Sequence, residues 1–250
     1  MLRLKRLAVL IVFVFCVATG FLIWALPLSG AQARGGLPAP PRAEAKLEVL
    51  SAGSIPAVNV TRSADAQWLS RAAAQTGIPA RALRAYVAAA GAAGDSARAC
   101  GIGWNTVAAI GLIESGHGTH GGGHLTSDGQ ASGPIIGPSL DGDGFAAIAD
   151  TDDGVLDGDA RWDRAVGPMQ FIPSTWRYAG RDGNGDGDAD PFNIDDAALS
   201  AALYLCAHGR DLTAAAGWAD AIYSYNQSET YINQVRDQAR AYAAQAGPAR

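Results

Sequence analysis

Beyond residue 61 the chain alternates between stretches where apolar residues return every three or four positions and stretches dominated by Gly, Asp and Pro. The first spacing is that of a helix burying one stripe. It predicts helices over about 64–75, 80–90 (following Ile78-Pro79), 104–114, 174–178, 195–205, 213–223 and 229–244, with Ser174 as the N-cap of the short fourth one. The two-residue alternation of a strand is scarce, so the fold class is mainly α. From His117 to Arg164 the periodicity vanishes and Gly and Asp crowd in, as in Asp141-Gly142-Asp143-Gly144 and Asp150-Thr151-Asp152-Asp153-Gly154. That much irregular chain inside a compact domain marks a functional loop region.

The first 61 residues follow other rules. Arg3, Lys5 and Arg6 precede a nearly unbroken apolar run of 22 residues, Leu7 to Leu28. A bilayer needs roughly 20 such residues, and the flanking positive charge holds the amino terminus in the cytoplasm. The alternative is a cleaved signal peptide, because Ala31-Gln32-Ala33 fits a small-x-small cleavage pattern, although the apolar run exceeds the usual ~7–15 residues. Either reading makes the remainder extracytoplasmic, in the cell envelope, anchored by the N-terminal helix or secreted after cleavage. Residues 29–61 are rich in Pro, Gly and Ala without a sustained period and read as a linker. The expected organisation is therefore 1–28 anchor or signal segment, 29–61 linker, and 62–248 folded domain.

Composition narrows the class. With 48% hydrophobic and 17% charged residues the chain is not disordered, and a net charge of −5 leaves no basic footprint for nucleic acid. Export changes how the cysteines read. Cys16 lies in the apolar run as a small side chain, which leaves Cys100 and Cys206 with one intramolecular pairing. A disulfide is expected; two buried free thiols are the alternative.

Glu114 closes the apolar run Trp104 to Glu114 on the stripe of Val107, Ile110 and Gly111, just before Ser115-Gly116-His117-Gly118. Apolar surroundings and the negative end of the helix dipole both disfavour its ionised form, so a proton donor near neutrality is expected. In Gly167-Pro168-Met169-Gln170-Phe171-Ile172-Pro173 an amide stands between two apolar residues and must find hydrogen bonds, from a sugar or from nearby backbone. Tyr223-Ser224-Tyr225-Asn226 offers aromatic and amide groups suited to a pyranose, or to core packing. Asp182, Asn184, Asp186, Asp188 and Asp190, with Gly187 at position six, match the first part of an EF-hand calcium loop, while Asn193 replaces the bidentate Glu at position twelve. His117, His120 and His124 are spaced closely enough to present imidazoles to zinc, but among glycines and without a helical HExxH pattern.

Glu114-Ser115-Gly116-His117-Gly118, the Gly167 to Trp176 block and Tyr223 to Asn226, in this order around an Asp-rich region, resemble the lytic murein transglycosylases of the membrane-bound lytic transglycosylase B type. Within that type the similarity is to exported actinobacterial-type members, and it runs from about Trp68 to Tyr242. The resemblance implies a lysozyme-like helical domain, of the goose-type lysozyme and lytic transglycosylase kind, with long Gly- and Asp-rich loops and a groove for peptidoglycan glycan strands. It implies one catalytic acid and base, Glu114, and substrate-binding positions at Ser115, Gly167, Met169, Gln170, Phe171, Tyr223, Tyr225 and Asn226. The implied reaction cleaves the β-1,4 bond from N-acetylmuramic acid to N-acetylglucosamine with 1,6-anhydro ends in cell-wall remodelling, and needs no cofactor for chemistry. Related enzymes include members with a structural calcium loop near Asp182. The rivals are a muramidase-type hydrolase, with Asp157, Asp159 or Asp163 as second carboxylate, a zinc-dependent wall hydrolase on the three histidines, and a catalytically silent glycan-binding scaffold.

Overall fold

The computed structural model describes residues 66–97, 100–144 and 146–247. The expected anchor and linker lie outside the described residues. Among the described residues no helix is long and apolar enough to cross a membrane. Among the described residues there are seven α-helices: α1 (Ala66–Thr76), α2 (Ala80–Ser96), α3 (Trp104–Ser115), α4 (Pro173–Ala179), α5 (Ile194–Cys206), α6 (Ala215–Tyr225) and α7 (Glu229–Ala246). Two short antiparallel strands, β1 (Ile136–Ser139) and β2 (Arg164–Val166), pair Ile136 with Val166 and Ser139 with Arg164 across an irregular register. The chain is mainly α, as its periodicity predicts.

At the centre is α3. Every residue from Trp104 to Gly111 is buried, so the helix is interior on all sides and not along one stripe alone. Two polar residues tolerate this because each is paired: Asn105 Nδ2 donates to the Ala239 carbonyl (3.0 Å), and Thr106 Oγ1 accepts from Trp218 Nε1 (3.1 Å). Around it, α2 packs on α5, α3 on α7 and α2, and α1 on α7. The contacting helices α2 and α5 are both rich in buried alanines: Ala82, Ala85, Ala89 and Ala93 on α2, Ala197, Ala198, Ala201 and Ala202 on α5. Small side chains let helix backbones approach closely.

Side-chain caps start two of the helices. Asn193 caps α5 by accepting from Asp195 N (2.9 Å), and Ser228 caps α7 by accepting from Tyr231 N (3.3 Å). Ser174 does not cap α4. Pro173 occupies the first helical position and Ile172 stands at the N-cap without a side-chain bond, because the preset φ of proline opens the helix one residue earlier. The second helix outruns its expected end and continues to Ser96.

The Asp-rich segment is ordered by its own carboxylates. Asp163, fully buried, accepts from the Thr151 N–H (2.8 Å) and hydroxyl; Asp150 accepts from Asp152, Asp153 and Gly154 N–H; Asp157 accepts from Asp159 N (2.9 Å) and Arg164 N (2.6 Å). These are the turn-forming bonds that short acidic side chains make to nearby backbone.

Cys100 and Cys206, 106 positions apart in sequence, form a disulfide with Cα atoms 5.4 Å apart. It ties the entry of α3 to the end of α5. Closing a loop of that length stabilises by about 4–5 kcal/mol on the chain-entropy model. Reduction, or Cys100→Ala with Cys206→Ala, is expected to lower the midpoint of thermal unfolding of the folded domain accordingly. Thiol labelling of the unfolded, unreduced domain should find neither cysteine.

Candidate active site

Glu114 lies in the last turn of α3, where the chain leaves the core. The helix stops in a left-handed cap: Gly116 has φ 59°, its N–H bonds the Leu112 carbonyl, and the His117 N–H bonds the Gly111 carbonyl, each at 2.8 Å. Glu114 stays half-buried between half-buried Ile113 and buried Ser115, near Tyr225 of α6. Tyr231 Oη, from the first turn of α7, donates to Glu114 Oε1. Burial raises the Glu114 pKa to about 7, and the Tyr231 bond opposes that rise without cancelling it. The phenols of Tyr231 and Tyr225 are pushed well above their usual range by burial and by the nearby carboxyl, so both remain donors.

A tight turn packs against this helix end. Val166 and Phe171 exchange backbone bonds (2.8 and 3.0 Å) around Gly167-Pro168-Met169-Gln170. Gly167 is required there: its φ is 76° and a Cβ would collide with the Pro191 carbonyl. Ser115 Oγ donates to the Pro168 carbonyl (2.6 Å) and accepts from Gly118 N (2.7 Å), while Tyr225 Oη donates to the Met169 carbonyl (2.7 Å). The turn is thus fastened to α3 by one carbonyl and to α6 by the next. Gln170 takes the left-handed conformation, φ 50°, unusual for a residue with a side chain. Its Nε2 donates to the Gly167 carbonyl (2.9 Å), and its Oε1 lies over Gly137, where a Cβ would approach it to 2.9 Å.

Gln170, Phe171, Tyr225 and Asn226, with Leu140 and Ile148 opposite, line a cleft of about 670 Å³. Aromatic walls with a few amide groups suit a ligand that stacks on one face and hydrogen-bonds at its edges.

The remaining expected positions fall elsewhere. Ser115 is buried and both its donor and acceptor functions hold the turn; Met169 is fully buried in the core; Gly167 contributes backbone shape. Tyr223 packs half-buried against the core and is outside the cleft lining. Ser115, Gly167 and Met169 shape the turn without lining the cleft. Tyr231 went unread in the sequence, because on α7 it shares an apolar stripe with Ile232 and Val235 and reads as core.

No zinc cluster forms from the histidines. His117 is buried with both ring nitrogens bonded to tyrosines, His120 is exposed, and among the described residues no histidine joins a converging group of ligand atoms. Nor do the calcium-type positions close a cage. Asp182 accepts from Gly185 and Gly187 N–H, Asn184 from Asp186, Asp186 from Asp188, and Asp190 takes Gln130 Nε2 and Phe192 N. Asn193, at position twelve, is the α5 cap, and Asp196, fully buried, accepts from Gly183, Asn184 and Asp190 N–H. Among the described residues the one acidic trio whose oxygens converge within 4.8 Å is Asp150, Asp152 and Asp163. In this geometry the loop closes on its own backbone, and no role of calcium is derived from it.

The family model described as "Transglycosylase SLT domain" matches residues 156–219. The match spans β2, the Gly167 turn, α4, α5 and the start of α6, about a quarter of the chain, and does not include Glu114. Among curated proteins no match is found. Among solved structures the chain is similar to the Escherichia coli lytic transglycosylase SLT35 in complex with bulgecin A, at 16% identity and a TM-score of 0.39, over 81% of this chain and 84% of that one. A likeness of that degree carries no argument by itself.

Two outcomes follow from the raised acid. Folding favours protonated Glu114, so its destabilising effect is absent below the unfolded value near 4.5, grows between there and about 7, and is constant above. Glu114→Gln is therefore expected to stabilise the fold more at pH 8 than at pH 4, read by thermal unfolding at both. Tyr231→Phe removes the bond that favours the carboxylate, so carboxyl NMR should show Glu114 titrating higher still.

Proposed function

We propose that this protein is a peptidoglycan lytic transglycosylase that cleaves the β-1,4 bond between N-acetylmuramic acid and N-acetylglucosamine and leaves 1,6-anhydro ends. The observation that carries this reading is a single half-buried carboxyl, Glu114, bonded to Tyr231 and near Tyr225, which lines a cleft with aromatic and amide walls; burial raises its pKa to about 7. The match of residues 156–219 to the transglycosylase domain supports it.

The chemistry can be written on this geometry. Protonated Glu114 donates to the glycosidic oxygen as the bond to C1 breaks, and positive charge develops at the sugar. The resulting carboxylate then accepts the proton of the muramic acid 6-hydroxyl, whose oxygen bonds C1. Glu114 is left protonated for the next cycle. An intramolecular nucleophile has a high effective concentration, which is why one carboxyl suffices. Tyr231 is placed to stabilise the carboxylate while it exists. The steps draw on a carboxyl, a substrate hydroxyl and hydrogen bonds, and on no cofactor.

A muramidase-type hydrolase would need a second carboxylate for water. Asp157 and Asp159 are engaged with backbone N–H groups and Arg164, and Asp163 with Thr151, so none is offered free to a nucleophile. This favours the anhydro product. In the reading proposed here residues 62–248 form the catalytic domain, residues 1–28 export it and hold it at the envelope unless cleaved, and the glycan strand is the partner.

Mass spectrometry of muropeptides released from peptidoglycan by the exported domain is expected to show anhydro-ended products; reducing ends would mean hydrolysis. Glu114→Gln should retain glycan binding and lose cleavage by several orders of magnitude. For the wild type, kcat/KM should decline about tenfold per pH unit above the Glu114 pKa of about 7, as the proton needed for the first step is lost.

A further inference from the structure

His117 takes no part in the steps above, yet its imidazole is buried and both nitrogens are used. Nδ1 lies 3.1 Å from Tyr86 Oη on α2, and Nε2 lies 2.9 Å from Tyr242 Oη on α7. The ring centroids are 5.7 and 6.0 Å apart. A neutral imidazole offers one donor and one acceptor, so one phenol donates to the ring and the other accepts from it.

The residue so held is the one that closes the helix. His117 has φ 63°, between the left-handed Gly116 and Gly118, and its N–H satisfies the Gly111 carbonyl. A side chain in that backbone region stays there only when its surroundings fix it. Gly111 faces the same cluster: a Cβ at that position would collide with the Tyr86 phenol. On α7, Tyr242 and Tyr231 are 11 residues apart, close to three turns, and therefore share a face. One holds His117 and the other holds Glu114.

We propose that His117 is a positioning residue for Glu114: clamped between Tyr86 and Tyr242, it fixes the left-handed cap of α3 and thereby the last helical turn on which the acid sits. Glu114 precedes the cap by two residues, in the turn that frays first when a helix end loses its bonds. A frayed turn would swing the carboxyl toward water and away from Tyr231. With α7 touching both residues, the acid and its cap are referenced to one rigid helix. Burial brings the imidazole down to about 4, so the neutral, two-bonded ring persists through the physiological range. The groups facing it are the two phenols, of which Tyr242 is itself pushed up to about 12 and bonded to Gln238, and no charged side chain is among its bonded partners.

The inference rests on Glu114 being the acid, and its test reads the carboxyl directly, without substrate. His117→Asn keeps a residue that accepts left-handed backbone and removes the clamp; Tyr242→Phe removes one oxygen from it. Carboxyl NMR titration of Glu114 is the deciding measurement, with kcat and KM on purified glycan strands below the unfolding temperature beside it. Expected are a Glu114 pKa that falls from about 7 toward the ordinary 4.5, and a kcat lower by about tenfold with KM little changed, which is ~1.4 kcal/mol of lost transition-state stabilisation. An unchanged Glu114 titration in a folded variant whose unfolding temperature alone drops would overturn the proposal. Should His117→Asn not fold, Tyr242→Phe decides on the same criterion. A wild type that cleaves no glycan, with the titration still moving in the variants, would remove the proposed reaction and leave the clamp standing.

Discussion

A carboxyl group placed at the end of a buried, mostly apolar helix cannot be solvated as water would solvate it, and the protein around Glu114 is arranged about that conflict. Proton retention resolves part of it, since the neutral acid is cheaper to bury than the anion. Tyr231 resolves another part by meeting whichever form is present with one directional bond. A fully exposed glutamate would be ionised at neutrality and useless as a donor. One sealed in the core could not reach a substrate. The end of α3, where full burial gives way to partial exposure within one turn, lies between those limits.

Holding that boundary in place takes two kinds of framework. The helical part is packed on buried alanines and tied by an intramolecular disulfide, which leaves α3 little freedom to shift. The loop part has few apolar residues and instead uses carboxylates to bind its own N–H groups, from Asp150 through Asp163 and again from Asp182 to Asp196. The two frameworks meet at the Gly167 turn, whose carbonyls are gripped by Ser115 from α3 and Tyr225 from α6. Residues expected to touch substrate, Ser115 and Met169 among them, serve this junction. The likeness of residues 156–219 to the transglycosylase domain falls on the turn and the helices that support it, while the acid arrives from outside that segment.

The same carboxylate chemistry explains why spacing by itself establishes neither a calcium site nor a second acid. Spacing of Asp and Asn along a loop fixes which oxygens are available, but not whether they point at an ion, a nucleophile or the backbone. In this molecule Asp182, Asp186, Asp157 and Asp163 point at the backbone. The three close histidines fail for a related reason. One lies in the core between two tyrosines, and the others lie on glycine-rich backbone where nothing makes their rings converge.

By itself the sequence determined the helices, because apolar periodicity is local and burial follows it. It also determined the two cysteines available to pair and the position of an acid at the edge of an apolar run. The one cap read from the sequence, Ser174, was misread because Pro173 acts first, and the side-chain caps at Asn193 and Ser228 went unread. Tertiary structure alone decided which residues face the cleft and which brace it, and it alone brought Tyr231 to Glu114 across 117 positions and Tyr242 to His117 across 125. A tyrosine on an apolar helical stripe has one local pattern whether its hydroxyl ends in the core or on a carboxyl. The difference lies in how α7 packs on α3, and that packing is non-local.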